Sequence, residues 1–99
     1  MTTSATSIDT ALRAIADPAR RRILGALKQQ GTSAASKNFG VCAGDIKDRV
    51  QLSQPTVSHH MAILTKAGLV EVTKQGQWRW YRRNEKAIRR LLKSLRTNI

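Results

Sequence analysis

Residues 52–70 read LSQPTVSHHMAILTKAGLV, and this stretch decides the fold. Ser53 can cap a helix with its hydroxyl, and Pro55 is tolerated in the first turn because its missing N–H would have no partner there. Gly68 is a good C-terminal stop, so the stretch predicts a helix over about 54–67. Apolar residues at i, i+4 and i+7 form a stripe that we expect to be buried: Val57, Met61 and Leu64.

The polar residues at the start of this helix lie outside that stripe. Short polar side chains there suit the edges of DNA bases, since glutamine pairs with adenine and a threonine methyl touches the thymine methyl. The free N–H groups at a helix start favour an anion such as a phosphate. We therefore predict a DNA-reading surface made of Ser53, Gln54, Thr56, Ser58 and His59.

The flanking segments complete a recognisable layout. CAGDIKDRV predicts a short helix over about 43–50, and LVEVTK and QWRWYRR predict a β-hairpin around a glycine-containing turn. Helix, turn, capped helix and hairpin is the order of a winged helix-turn-helix. The basic hairpin tip would reach a neighbouring groove or the DNA backbone through Lys74, Gln77 and Arg79. Alternation places Trp78 and Trp80 on one face of the hairpin without saying which face points inward.

Two helices are predicted ahead of this unit. Ile8, Leu12 and Ile15 follow helical spacing, and Asp17-Pro18 then starts a new helix of roughly 18–30 with Gly31 as its stop. We expect residues 1–6 to be disordered. The small polar residues 32–41 predict a loop ending in a short extended piece.

Asn84 can cap a last helix of about 85–97. Its apolar stripe is Ile88, Leu91, Leu92 and Leu95, and its wet face is Lys86, Arg89, Arg90, Lys93 and Arg96. That stripe exceeds what one small domain covers, so we expect it to pair with the first helix of a second subunit. Two-fold symmetry of this kind predicts a palindromic DNA site. The 99 residues are expected to form a single domain, mainly α with a β-hairpin wing, and homodimeric through its terminal helices.

The charge of the chain indicates its partner. Eighteen Lys and Arg against six Asp and Glu give a formal net charge of +12, which favours a polyanion. No apolar run approaches the roughly 20 residues that span a bilayer, and MTTSATSIDT lacks the features of a secretory signal. We expect a cytoplasmic protein without a membrane partner. A basic RNA-binding or nucleoid-packing protein is the alternative, since it shares the charge, although it has no need of a polar, capped reading helix.

Metal binding and catalysis are poorly supported by the residues. His59 and His60 are adjacent and point about 100° apart, whereas two helical ligands of one ion need i, i+3 or i, i+4 spacing. We expect His60 to face inward with a hydrogen bond and His59 to be exposed. The single cysteine, Cys42, excludes an internal disulfide and a CxxC motif, and no nucleophile elbow or glycine-rich phosphate loop is present. The prediction is a non-enzymatic chain without a cofactor or metal.

Three segments, IADPARRRILGAL, LSQPTVSHHMAILTKAGLV and GQWRWYRRN, resemble in that order the hallmark segments of the ArsR/SmtB family of winged-helix repressors. The resemblance covers about residues 8–98. It implies a homodimer built through the terminal helices that binds operator DNA and is released by an effector. By position it marks the reading surface named above and a wing running from Lys74 to Arg79.

The same resemblance bears on effectors. Many members sense metal ions through a CxC pair on the third helix, or through Asp, His and Glu on the last helix. Here the first position reads Val41-Cys42-Ala43, and the last helix offers only Glu85 near its start, so neither kind of metal site is complete. Cys42 is interpreted first as a small buried side chain packed on the core. The alternative is a thiol that senses oxidants or reactive sulfur or joins an intersubunit site. The effector stays unknown.

Overall fold

A computed structural model describes residues 3–29 and 38–99, with side chains from residue 8 onward. Its helices are α1 (Thr3–Ile15), α2 (Pro18–Ala26), α3 (Ala43–Val50), α4 (Gln54–Lys66) and α5 (Glu85–Asn98). Its strands are β1 (Val41–Cys42), β2 (Val70–Gln75) and β3 (Trp78–Arg83), arranged β1-β3-β2. The predicted winged helix-turn-helix, mainly α with a hairpin wing, is confirmed.

The first helix begins close to the start of the chain. Helix α1 begins at Thr3, within the stretch 1–6 for which disorder is expected, and residues 1–2 lie outside the described part; the expected disorder stays a prediction. Ala11 and Ala14 of this helix are buried in the core. Once that part is packed, extending the helix by a turn costs much less than nucleating it.

Helix α2 begins as predicted and ends early. The carboxylate of Asp17 accepts hydrogen bonds from the backbone N–H groups of Ala19 at 2.7 Å and Arg20 at 3.3 Å, with Pro18 in the first turn. The helix ends at Ala26 rather than near residue 30, so the predicted end is wrong. The guanidinium of Arg49, on α3, donates to the carbonyl oxygens of Ala26 at 2.9 Å and Gln29 at 2.6 Å. It thereby supplies the cap that the sequence predicts at Gly31, a residue outside the described part.

The helix-turn-helix consists of α3 and α4. Between them Gln51 adopts a left-handed conformation with φ 55°, and its N–H donates to the carbonyl of Lys47 at 2.8 Å. Helix α4 then buries the stripe predicted from its spacing: Val57, Met61 and Leu64. These side chains join the core formed with α1, α2, α3 and the sheet, where Ile23 and Ile46 are fully buried.

The hairpin forms around Gly76, which has φ 61° and therefore takes the conformation that favours glycine. Strand β1 extends the sheet by pairing Val41 with Tyr81 and Cys42 with Trp80, which confirms the short extended piece at the end of the predicted loop. Gly40 precedes it with φ 111°, and a Cβ atom there would collide with the carbonyl oxygen of Tyr81. Loop residues 32–37 lie outside the described part.

The two faces of the hairpin pack against different parts of the molecule. The face that carries Tyr81 points inward, since Tyr81 belongs to the core cluster together with Val70 and Val41. Trp80 lies on the opposite face and is only 9% exposed, with Phe39 beside it at a ring-centroid distance of 6.2 Å. Trp78 lies on that same outward face and is 58% exposed.

Helix α5 is capped by Asn84, whose side-chain oxygen accepts from the N–H of Ala87 at 3.1 Å. Leu91 is buried and Ile88 and Leu95 are half-buried, whereas Leu92 is 53% exposed. The basic residues predicted for the wet face are all exposed. Between α1 and α5 runs a groove of about 470 Å³ lined by Ile8, Ala11, Leu69, Ala87 and Leu91 among others.

Candidate nucleic-acid interface

The start of α4 is built around Ser53. Its hydroxyl oxygen accepts from the backbone N–H of Thr56 at 3.3 Å and lies 2.8 Å from the Thr56 hydroxyl oxygen. This confirms the predicted cap. It also occupies the polar end of Thr56, whose side chain is half-buried, so Thr56 offers a partner its methyl group more readily than its hydroxyl.

The other predicted reading residues are freely presented. Gln54, Ser58 and His59 are all exposed. Gln54 and Ser58 are four residues apart and therefore lie on one face of α4. His59 is turned away from them, with its ring 5.6 Å from the ring of His60. The predicted set is thus divided over two adjoining faces of the helix.

A groove of about 820 Å³ separates α4 from the hairpin, and we call it the wing groove. It contains two reading residues, Gln54 and Ser58, and two predicted wing residues, Gln77 and Arg79. Its floor includes Met61, Val72 and Tyr81. The structure therefore brings half of the predicted site together in one open cleft, while Ser53, Thr56, His59 and Lys74 do not line it.

Lys74 is tied to this site through the strand register. It lies directly opposite Arg79 in the β2–β3 ladder, and both side chains are exposed. Residues directly opposite each other project to the same face of a sheet. Two cations are thus placed side by side near the tip of the wing, where a single anionic strand could contact both.

His60 faces inward, as expected, and its partner is one that the sequence analysis missed. It is 8% exposed, and its Nδ1 atom lies 3.3 Å from Nη1 of Arg20. A guanidinium cannot accept a hydrogen bond, so Nδ1 accepts and the ring is neutral with its proton on Nε2. Arg20 also donates from Nε to the carbonyl of Ala14 at 2.6 Å, so it links the end of α1 to the reading helix.

Nearby charges influence the ionisation of this junction. Burial lowers the pKa of His60 below its ordinary value of 6.5, the carboxylate of Asp17 raises it, and the charges of Arg20 and His59 lower it. The net direction is downward. No sequence signal could have identified the pair, because forty positions separate Arg20 from His60.

Cys42 differs from its first interpretation. The thiol is half-buried rather than buried, and the residue is not part of the core cluster. It occupies β1 and the N-cap position of α3, where its side chain makes no capping hydrogen bond. Over residues 3–29 and 38–99, no three His, Cys, Asp or Glu side chains gather as a metal site would need.

The fold and the polar, basic cleft together define a class of protein: a winged helix-turn-helix DNA-binding regulator. A family model described as a helix-turn-helix domain matches residues 15–73. The HTH-type transcriptional regulator YbzH of Bacillus subtilis is 32% identical over 88% of this chain and 93% of its own length. The arsenical resistance operon repressor of Staphylococcus xylosus is 35% identical over 82% of this chain and 69% of its own.

A solved structure agrees in fold. The homodimeric winged helix-turn-helix DNA-binding domain Mb0332 from Mycobacterium bovis superposes with a TM-score of 0.72 at 19% identity, covering 97% of this chain and 82% of that one. The chain belongs to the ArsR/SmtB family of winged helix-turn-helix transcriptional regulators. In the part of the chain that the structure describes, no helix has the length and apolar character to cross a membrane.

Proposed function

We propose that residues 1–99 form a single domain that represses transcription by binding a palindromic operator in duplex DNA as a homodimer, and that an effector releases it. The observation that carries this proposal is the wing groove. It combines exposed hydrogen-bonding side chains of a capped helix with a cation of the hairpin, and no acidic residue lines it.

The reading helix supplies the choice of sequence in this proposal. Gln54 and Ser58 contact base edges in the major groove, and His59 extends the contact along the same helix. Ser53 and the N-terminal N–H groups of α4 hold a phosphate, because the start of a helix favours negative charge. The methyl group of Thr56 is left to contact thymine.

The wing supplies position and affinity. Lys74 and Arg79 lie opposite each other and contact phosphates, while Gln77 at the turn reaches the neighbouring groove. Contacts of cations with phosphates release counterions and dominate the affinity of most DNA-binding proteins, although they carry little sequence information. The wing therefore fixes the register in which α4 reads.

The dimer is proposed to form through α1 and α5. Their shared groove is lined mostly by apolar side chains, and Leu92 of α5 is 53% exposed. The domain of similar fold from M. bovis is homodimeric, which supports the same assembly here. A two-fold axis would present two copies of α4 to two half-sites, and the operator would then be an inverted repeat.

The effector is proposed to act through a side chain near the reading helix. Cys42 is the candidate thiol sensor, since it is half-buried at the start of α3, directly ahead of the reading helix. Replacing Cys42 with Ser tests this. If the DNA affinity of Cys42→Ser and of the wild type respond alike to oxidant, sulfide and metal ions, the thiol is not the sensor.

Selection of bound duplexes from a random DNA pool at physiological salt tests the proposed function. We expect enrichment of an inverted repeat whose half-sites lie about one helical turn apart. Gln54→Ala, a change at an exposed position, serves as the matched variant and should relax the choice at one base pair of each half-site. An unenriched pool bound with similar affinity would contradict the proposal and favour a basic RNA-binding or nucleoid-packing protein.

A further inference from the structure

Trp78 exposes a large, mostly apolar ring to solvent, which is unfavourable for an isolated protein. Its side chain is 58% accessible, whereas Trp80, two residues further along the strand, is 9% accessible. Large exposed apolar groups commonly mark a surface that binds a partner. Val72, another of the exposed large hydrophobic residues, lines the wing groove together with Trp78. Trp78 thus borders the cleft between the wing and the reading helix, while its ring lies over the outward face of the hairpin beside Trp80.

The ring of Trp78 is also held in place. It lies 6.5 Å from the ring of Trp80, tilted by 35°, and Trp80 in turn lies 6.2 Å from Phe39. Three rings thus form a row that runs from Phe39, ahead of β1, past the covered Trp80 to the exposed indole. A buttressed aromatic side chain loses little conformational freedom on binding, so it forms an effective contact.

The surroundings of this indole select a polyanionic partner. Trp78 is flanked in the chain by Gln77 and Arg79, and Lys66 lines the same cleft. None of the residues that line the cleft is acidic. The charged residues of the lining, Lys66 and Arg79, are both cations, so this surface favours an anionic partner. A nucleic-acid backbone combines apolar sugar faces with anionic phosphates and matches both kinds of group.

We propose that Trp78 is a DNA-contacting residue of the wing, whose indole ring packs against the sugar–phosphate backbone of one strand beside the base pairs that α4 reads. The inference rests on the proposed function and deepens it. The flat ring covers a deoxyribose, and its N–H group, a donor only, faces a phosphate oxygen. Because every nucleotide carries the same sugar and phosphate, this contact strengthens binding without choosing a sequence.

Fluorescence provides a direct test because the chain contains only two tryptophans. In Trp78→Phe the remaining tryptophan is the covered Trp80, whose emission is excited selectively over that of Tyr81. We expect duplex DNA to reduce quenching of the wild-type protein by acrylamide, and to change that of Trp78→Phe far less. Position 78 is exposed, so both proteins should fold, which circular dichroism verifies before the titration.

Affinity measurements test the same contact independently. Trp78→Ala should bind the selected operator and an unrelated duplex both about tenfold more weakly, so the ratio of the two affinities is unchanged. The slope of log affinity against log salt should also stay the same, because no phosphate charge contact is removed. In contrast, Arg79→Gln should reduce that slope by about 1. Trp78→Phe should retain most of the affinity.

Two results would overturn the inference alone. One is selective DNA binding in which acrylamide still quenches the wild-type protein as it does without DNA, and the other is a Trp78→Ala affinity within twofold of the wild type. A wild-type chain that binds no duplex, or binds all duplexes equally in the pool selection, overturns the proposed function and this inference with it.

Discussion

On the outer face of α4, Gln54, Ser58 and His59 are exposed, whereas Val57 and Met61 on its inner face are almost completely buried. The two neighbouring histidines fall on opposite sides of this boundary. His59 faces solvent, while His60 meets Arg20 at the junction with α2. One helix thus has a face that holds the fold together and a face left free for a partner. Substitutions on the two faces should affect different measurements.

The largest effect is expected on the inner face. Met61→Ala should lower the free energy of unfolding by about 2–5 kcal/mol, because the 1% exposed side chain leaves a cavity in the core. Urea denaturation measures this. Lys66→Ala, at an exposed position of the same helix, is the control and should stay within about 0.5 kcal/mol of the wild type. Equal losses in the two variants would erase the distinction between the faces.

On the outer face, His59→Ala should leave stability within about 0.5 kcal/mol and reduce discrimination among duplexes. The expected loss is about 1–3 kcal/mol of preference for the selected operator over a duplex altered at the contacted base pair. Competition binding between the two duplexes provides the measurement. A uniform loss of affinity on both duplexes would mean that His59 contacts only the backbone.

Ser53 lies between the two faces, and it combines a stabilising role as the N-cap of α4 with the proposed phosphate contact. Ser53→Ala should lower the free energy of unfolding by about 1 kcal/mol, because the N–H of Thr56 loses its cap. Ser53→Asp retains a capping oxygen and should recover stability, yet it should weaken DNA binding by placing a negative charge beside a phosphate. Thermal denaturation and binding measured on both variants separate the cap from the phosphate contact. Recovered stability together with unchanged binding would show that no phosphate lies there.

The smallest expected effect is the pH dependence of the free energy of unfolding, which involves His60. Burial favours the neutral form of its ring, and the opposing charges of Asp17 and Arg20 partly offset each other. The folded pKa of His60 is lowered from 6.5, so the unfolded chain binds a proton more readily. The free energy of unfolding should therefore be constant above about pH 6.5 and fall as pH drops from there through the folded pKa. Urea midpoints across this range test it.

A matched pair of variants assigns that pH dependence. His60→Gln offers Arg20 an amide oxygen that does not titrate, so the fall in stability should be reduced, while His59→Ala should retain it. Asp17 affects stability over a different, more acidic pH range. Desolvation of its carboxylate raises the pKa, but the backbone N–H groups of Ala19 and Arg20 and the Arg20 charge outweigh this and lower it from 3.8. A fall in stability that persists in His60→Gln would assign the pH dependence to another group.

Elements that are determined by local contacts were predicted well. Helix α3 and the start of α4 follow from spacing and from the Ser53 cap, and the hairpin follows from the glycine turn. The end of α2 was not predictable, because its cap is Arg49 on another helix rather than a neighbouring glycine. Hairpin alternation likewise could not say which face is inward, since the answer depends on the core around Tyr81 and on Phe39 covering Trp80.

The candidate site shows the same division. Its residue types were readable from the start of α4, but the grouping of Gln54 and Ser58 with Gln77 and Arg79 depends on how the hairpin packs against that helix. The exposure of Trp78 depends on the same packing. Arg20 could not be associated with His60 from spacing alone.

Several arginines bind the protein's own backbone. Arg20 and Arg21 donate to carbonyls at the end of α1, Arg22 to Val50 at the end of α3, and Arg83 to Leu24 of α2. These guanidinium groups hold helices to one another, and a lysine could not reproduce their forked geometry. A variant with lysine in place of these arginines would keep the formal charge of the chain but not these contacts between helices. Changing Arg22 and Arg83 to lysine would keep the attraction for DNA at long range while loosening the frame that aims the reading helix.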